Sequence, residues 1–274
     1  MNTWNQIYDT FDPIAFSIFL LPVHWYGMMY VLALLSALYV GKYFMKKDKL
    51  DFSSNQIDIY FIYVEIGVIL GARLGYILFY DTQTMYYLTA PWQIFNPFVN
   101  GEFVGIRGMS YHGAVIGFVI GTYLYTKRHK VSMGMIMDLV ALAIPLGFVF
   151  GRIGNFLNQE LIGRETDVPW GILVDGVLRH PSQLYEAILE GFGVFLVVYM
   201  YRKYKKFSGE LILIYAISYG LFRTIAEIYR APDVQIGYVC CDAITQGQVM
   251  SLGMSLLGVI VWIYFYTKSK KVLS

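Results

Sequence analysis

Charge is scarce in this chain. Only 15% of its 274 residues are Asp, Glu, Lys or Arg, where a soluble domain of this length carries nearer a quarter. Cysteine is almost absent. Cys240 and Cys241 are neighbours, which bridge poorly and supply neither a disulfide framework nor a metal quartet. No histidine–cysteine spacing of metal-site type stands out, so no metal is expected. The first dozen residues lack a basic stretch, and no A-x-A-like site follows an apolar run, so no cleavable signal peptide is expected. No transporter-like repeat and no low-complexity segment is evident. Nothing in so apolar a chain calls for a nucleic-acid partner.

What is abundant is hydrophobic surface, 57% of residues. Seven apolar segments, near 25–44, 57–79, 109–125, 135–156, 182–200, 211–229 and 247–266, are long enough or nearly so to cross roughly 30 Å of hydrocarbon. They predict an all-α polytopic membrane protein of seven transmembrane helices, with residues 1–274 forming one integral-membrane domain. A shorter apolar piece, 14–21, lies between Pro13 and Pro22 and reads as interfacial or re-entrant.

The basic residues orient the spans. Lys42, Lys46, Lys47 and Lys49, then Lys127, Arg128 and Lys130, then Arg202, Lys203, Lys205 and Lys206, then Lys268, Lys270 and Lys271 occupy alternate connections. Those connections hold 14 of the 21 basic residues and every lysine. The positive-inside rule makes them cytoplasmic, which places the N-terminus outside and the C-terminus inside. The long connections 80–108 and 157–181 then form small periplasmic elements. The second contains Asp175-Gly176 between short β-like runs, a hairpin signal.

The remaining seven basic residues are all arginines: Arg73, Arg107, Arg152, Arg164, Arg179, Arg223 and Arg230. A guanidinium offers a planar fork suited to phosphate or carboxylate, and an ionised group inside a membrane needs a partner or a task. In the expected topology, six helices bring polar groups toward the outer leaflet: His24 and Tyr26, His112, Arg152 with Asn155, Asn158 and Glu160, His180 with Gln183 and Glu186, Arg223 with Glu227 and Arg230, and Gln246 with Gln248.

Each motif has a plain reading beside the chemical one. Arg223, Glu227 and Arg230 share a helical face, either as a self-neutralising triad or as a phosphate grip oriented by Glu227. Arg152, Asn155, Asn158 and Glu160 are too many polar groups for a simple helix end. His112 suits either a structural bond at a helix start or proton transfer from a thiol. Arg179-His180-Pro181-Ser182-Gln183 through Glu186 suits the capped start of a helix. Glu65 and Arg73 lie eight apart and read as a pair or as reaching across helices. Gly67, Gly71 and Gly75 read as helix packing. Asp138 reads as a structural partner of the helix dipole.

The run G-R-I-G-N-F-L-N-Q-E-L-I-G over residues 151–163 resembles the signature of the prolipoprotein diacylglyceryl transferases. Val23-His24-Trp25-Tyr26-Gly27, Gly71-Ala72-Arg73-Leu74-Gly75-Tyr76, Met109-Ser110-Tyr111-His112-Gly113, the stretch 179–186, and Tyr219-Gly220-Leu221-Phe222-Arg223 through Glu227 and Arg230 resemble further motifs of that family, in family order. Ala114 departs from a second glycine often found there.

The resemblance implies a multi-pass enzyme of the bacterial inner membrane with its site on the periplasmic side. It would move the sn-1,2-diacylglyceryl group of phosphatidylglycerol to the lipobox cysteine of a prolipoprotein that still carries its signal peptide. A thioether forms, glycerol 1-phosphate leaves, and no cofactor is needed. Position by position, it implies His112 as base and Arg152, Arg223 and Arg230 on the phosphate. Asn155 would bind headgroup oxygens, with Tyr26, Tyr219 and Gly163 at the lipid site. Glu160 and Glu227 would hold the arginines or serve as an alternative base. A lipid flippase would also want outward arginines, but with polar groups through the inner half and inverted halves. A membrane scaffold would need no such cluster.

Overall fold

The computed structural model describes residues 3–19, 21–82, 84–99, 102–103, 105, 108–232, 238–240 and 244–273; Arg107 and Cys241 lie outside the described residues. Helices α1 (Trp25–Lys47), α2 (Ser54–Phe79), the short α3 (Thr84–Thr89), α4 (Tyr111–His129) and α5 (Met133–Leu157) follow one another. Then come α6 (Ser182–Glu186), a π-helical stretch (Ala187–Gly193) and α7 (Val194–Tyr201), which run on as one composite helix. The helices α8 (Glu210–Ala226) and α9 (Gln246–Leu273) complete the set. A helix thus occupies each expected apolar segment. Five of these helices, α1, α2, α5, the composite Ser182–Tyr204 and α9, are long and apolar enough to cross a membrane by length and composition. Helix α4 ends in Lys127, Arg128 and His129, and α8 has 17 residues. The chain is a mostly helical membrane protein.

The apolar piece within 14–21 is extended and paired, not isolated. Strands β1 (Ile14–Ile18) and β2 (Leu21–His24) pair antiparallel into a hairpin that leads directly into α1. The expectation missed it because Pro22 and a short run of apolar residues carry no clean alternation, and pairing satisfies the backbone instead. Three more two-stranded hairpins follow: β3 (Phe98–Val99) with β4 (Glu102–Phe103), β5 (Ile172–Val174) with β6 (Val177–Arg179), and β7 (Tyr238–Cys240) with β8 (Ile244–Thr245). Between β5 and β6, Asp175 and Gly176 both take positive φ, 50° and 80°, as a two-residue turn of this kind requires.

By its internal contacts the chain forms two compact units, Asp51–Met133 and the remainder, Met1–Leu50 with Gly134–Ser274. In the Asp51–Met133 unit, Ser53 and Gln56 form a capping box at the start of α2. Helices α2 and α4 then cross at backbone contact. A Cβ on Gly71 would lie 2.3 Å from the Gly113 carbonyl oxygen, and one on Gly117 would lie 1.9 Å from that of Gly67. Only glycine fits, so the small-residue spacing in α2 is a packing device, matched by an equivalent row on α4. Arg73 is buried there and donates to the carbonyls of Ile94 and Gly108.

In the other unit, α5 is the most enclosed span, with half of its apolar window buried against 17% for α1 and α9. The N-terminal segment caps its far end. Trp4 stacks on Phe156, Tyr8 packs on Phe156, and the Asn5 carbonyl accepts from Leu173 N at 2.7 Å. At the opposite end Asp138 is buried and accepts from the backbone of Gly209 and Leu211 and from Lys205. It therefore caps the start of α8 from a neighbouring helix, a more specific task than favouring its own helix dipole.

Candidate functional site

The composite helix buries Ser182, Gln183, Glu186, Ala187, Glu190, Gly191, Val194 and Val198. That is a repeat of four. In a pure α-helix each such step drifts by about 40°, so Val198 would have turned to the opposite face from Ser182. The π stretch takes up the extra residue and resets the face. Ser182, Glu186, Glu190, Val194 and Val198 therefore all point inward.

Glu186, with no exposed surface, is the hub of a charged cluster. Arg152 of α5 places Nε 2.8 Å from Glu186 Oε2. Arg223 of α8 and Arg230 just beyond it place Nη1 at 3.1 and 3.3 Å from Oε1. Arg223 also reaches Glu190 Oε1 at 3.1 Å and, through Nη2, Glu227 Oε2 at 2.6 Å. Glu227 is held in turn by the hydroxyl of Thr245, and Gly247 at the start of α9 leaves room for its carboxylate. The four-residue spacing of Arg223 and Glu227 predicts this pair. The three guanidinium side chains are 11–15% exposed, so each charge is largely withdrawn from water and needs its counterpart.

A relay of amides extends the cluster. Arg152 Nη1 donates to Asn155 Oδ1 at 3.2 Å, and Asn155 Nδ2 donates to Glu160 Oε1 at 2.7 Å. Among the described residues, Glu160 thus acts on Arg152 through Asn155. The Arg152 guanidinium lies 4.6 Å over the Phe148 ring, which meets Tyr219 edge-on, and Tyr219 stacks on Tyr215. Tyr26 of α1 is 43% exposed and stands beside Gly154, which two positions along α5 faces away from Arg152.

After α5 the chain turns sharply, with positive φ at Gln159 and Leu161. Gly163 then pairs with Arg230 in an isolated bridge, and its N–H donates to the His180 carbonyl. A Cβ there would lie 2.3 Å from that carbonyl oxygen and 2.7 Å from that of Tyr229. The glycine lets three backbones meet and so fixes where Arg230 begins. Arg164 donates to the carbonyls of Arg230 and Glu227.

Residues 182–186 do not cap their helix, which has no side-chain cap bond at its start. Ser182 Oγ donates to the Leu161 carbonyl, and Gln183 Nε2 to that of Glu160. They pin the turn after α5, and Glu186 takes the arginines. Nearby, His180 Nδ1 lies 3.1 Å from the Tyr185 hydroxyl, and burial pushes the imidazole below its ordinary value, toward the neutral form. Burial likewise raises the Tyr8 hydroxyl, which accepts from Gln183.

The structure therefore brings together Arg152, Asn155, Glu160, Gly163, Arg223, Glu227 and Arg230, with Tyr219 alongside, while Tyr26 packs on another face of α5, at Gly154. His112 belongs to the Asp51–Met133 unit. Ser110 Oγ accepts from Gly113 N to start α4, and His112 follows in the first turn, exposed, its ring edge-on to Tyr111. The sequence places Glu186 among the outer-leaflet polar groups, with a helix start as its plain reading, and gives no role to Glu190. The available signal was two carboxylates four apart inside an apolar run, where ionisable groups are expensive.

A family model described as prolipoprotein diacylglyceryl transferase matches residues 13–264. The chain belongs to the prolipoprotein diacylglyceryl transferase family. It is accordingly a transferase of lipoprotein biosynthesis. Among its relatives is the phosphatidylglycerol–prolipoprotein diacylglyceryl transferase of Campylobacter hominis, 61% identical over 98% of this chain and 96% of that one. Proteins of the same name from Campylobacter jejuni, 61% identical over 99% of both chains, and from Campylobacter curvus, 58% identical over 98% of both, are similar throughout. A diacylglyceryl transferase must hold a polar headgroup beside apolar chains, and the buried arginine cluster among apolar helices is suited to that task.

Proposed function

We propose that the chain transfers the sn-1,2-diacylglyceryl group of phosphatidylglycerol to the lipobox cysteine of a prolipoprotein, with the arginine cluster gripping the phosphate. The observation that carries this reading is the convergence of Arg152, Arg223 and Arg230 within 3.3 Å of one carboxylate, Glu186. Guanidinium groups gathered on one oxyanion are already spaced for a second. Arg152 engages Glu186 through Nε and Asn155 through Nη1, and its Nη2 makes no bond among the described residues.

The reaction is displacement at a saturated carbon. The cysteine sulfur attacks the glyceryl carbon as the C–O bond to phosphate breaks, and glycerol 1-phosphate leaves. Charge grows on the phosphate oxygens, and preoriented guanidinium donors stabilise it. Asn155 adds an amide to the headgroup, and Gly163 fixes the backbone that carries Arg230. Tyr26 and Tyr219 line the lipid's approach. His112 accepts the thiol proton, the imidazole acting as general base. The reaction uses side chains of this chain alone, without metal or organic cofactor. The setting is the bacterial inner membrane, crossed seven times by one catalytic domain, with the site toward the periplasm and 80–108 and 157–181 on that side.

Purified protein, phosphatidylglycerol and a lipobox peptide in detergent test the reading. The peptide gains the mass of one diacylglyceryl group at its cysteine. Arg152→Ala lowers the rate by roughly 10²–10³, as for a lost oxyanion donor, and His112→Ala lowers it by about 10²–10⁴, as for a lost general base. A peptide that gains no mass overturns the reading; lipid movement without it would mark a flippase.

A further inference from the structure

The six carboxylate oxygens of Glu186, Glu190 and Glu227 are unequally served. Glu186 Oε1 meets Arg223 and Arg230, and its Oε2 meets Arg152. Glu227 Oε1 accepts from Thr245, and its Oε2 meets Arg223. Glu190 Oε1 meets Arg223, but its buried Oε2 has neither a hydrogen bond nor an ion pair among the described residues. A buried carboxylate oxygen without a donor is a poor place for negative charge and a good place for a proton.

The charge count points the same way. Among the described residues, three guanidinium groups face three carboxylates, and adding half-buried Arg164 and Glu160 leaves the balance at zero. A phosphodiester brings one further negative charge. Entering a neutral, buried cluster, it leaves an uncompensated anion beside three carboxylates unless one of them is neutralised.

We propose that Glu190 takes up one proton from solvent, on Oε2, when the phosphate of the lipid enters the cluster, and releases it when the phosphorylated product leaves. The proposal rests on the reading of the cluster as the phosphate site. No covalent bond changes except the O–H that forms and later breaks. Among the described residues, the charged groups facing Glu190 are Arg152 from α5, Glu186 from its own helix and Arg223 from α8; Glu227 and Tyr219 lie against Arg223. Helix α7 has Tyr199 and Tyr201 as its ionisable residues, and these bond to Lys47 and Glu210. The Oε2 atoms of all three are buried without a hydrogen bond, but those of Glu186 and Glu227 have a guanidinium nitrogen at 2.8 and 2.6 Å, so among the described residues Glu190 is the member whose second oxygen meets no cation.

Titration calorimetry of the whole protein in detergent, with soluble short-chain phosphatidylglycerol, no peptide, and two phosphate-free buffers of different ionisation enthalpy, counts the protons. The wild type takes up about one proton per lipid, and above the titration its lipid affinity falls up to about tenfold per pH unit. Glu190→Gln, a mimic of the protonated acid, takes up none and binds without that pH slope. A count near zero in the wild type, or an unchanged count in Glu190→Gln, overturns the proposal. Should Glu190→Gln not fold, infrared difference spectra decide: lipid binding raises a protonated-carboxyl band that shifts in Glu190→Asp, and a missing or unshifted band overturns it. Lipid binding with no proton uptake ends this inference alone; absence of lipid binding by folded protein ends the phosphate reading with it.

Discussion

Two acidic residues show how much burial decides. Glu165 pairs with Arg179 at 3.3 Å, yet its side chain is 70% exposed, so water competes for both partners and the pair is worth at most about 1 kcal/mol. Glu186 meets its arginines at similar distances with no exposure, and removing it strands charges that water does not reach. Breaking a buried pair of this kind costs about 3–5 kcal/mol. Glu186→Ala is therefore expected to lower the unfolding midpoint in detergent by on the order of 10 °C, and transfer with it. Glu165→Ala should leave both within error. Thermal unfolding of the two variants side by side checks the contrast, and equal midpoints would remove Glu186 as the hub. The three arginines that meet at Glu186 were legible as candidates, because arginine without lysine inside apolar runs is a chemical choice. Their common partner was not, since Arg152, Glu186 and Arg223 lie on three stretches of chain that no local periodicity connects.

Helices were legible at the level of elements because a membrane enforces long apolar runs with internally satisfied backbones. Departures from regular helix were not. The π stretch Ala187–Gly193 leaves its trace only as a four-residue repeat of buried positions, which reads like ordinary helix until the burial is known. The β1–β2 hairpin hides behind Pro13 and Pro22. The Asp175-Gly176 hairpin was readable because its turn needs two residues at positive φ, and that demand is chemical. The glycine rows of α2 and α4 sit between these cases: one row was visible, but its partner had to be found by position. They also give a test at this scale. Gly117→Leu pushes a large side chain into the Gly67 carbonyl, where even a Cβ has 1.9 Å, so the two helices must separate. Limited proteolysis should cut within 80–110 in the variant and spare the wild type, while Ile116→Leu, on an exposed position beside it, changes nothing. Equal resistance of Gly117→Leu would mean the crossing tolerates separation.

For the molecule as a whole, the distribution of lysine discriminates between two ways of threading the membrane. Five helices satisfy length and composition alone; α4 and α8 fall short, one through its basic end and the other through its 17 residues. If only the five cross, the connections near Lys127 and Lys206 lie outside and the β5–β6 hairpin lies inside. If all seven cross, those positions exchange sides, while both arrangements leave the N-terminus outside and the C-terminus inside. The seven-span arrangement keeps 14 of the 21 basic residues in the cytoplasm. The five-span one would put the basic groups around 127–130 and 202–206 outside, against the bias that sets orientation during insertion. A 17-residue helix is also within the spanning range, and α8 continues into the turn that carries Glu227. Single cysteines at Lys127, Lys206, Lys268 and Val177, in a chain with Cys240 and Cys241 changed to serine, separate the two. In intact spheroplasts an impermeant maleimide should label only the Val177 position, and permeabilised membranes should label all four. Labelling at Lys127 and Lys206 without permeabilisation would reduce the spans to five and turn the 157–181 connection, with the turn that follows Arg152, toward the cytoplasm.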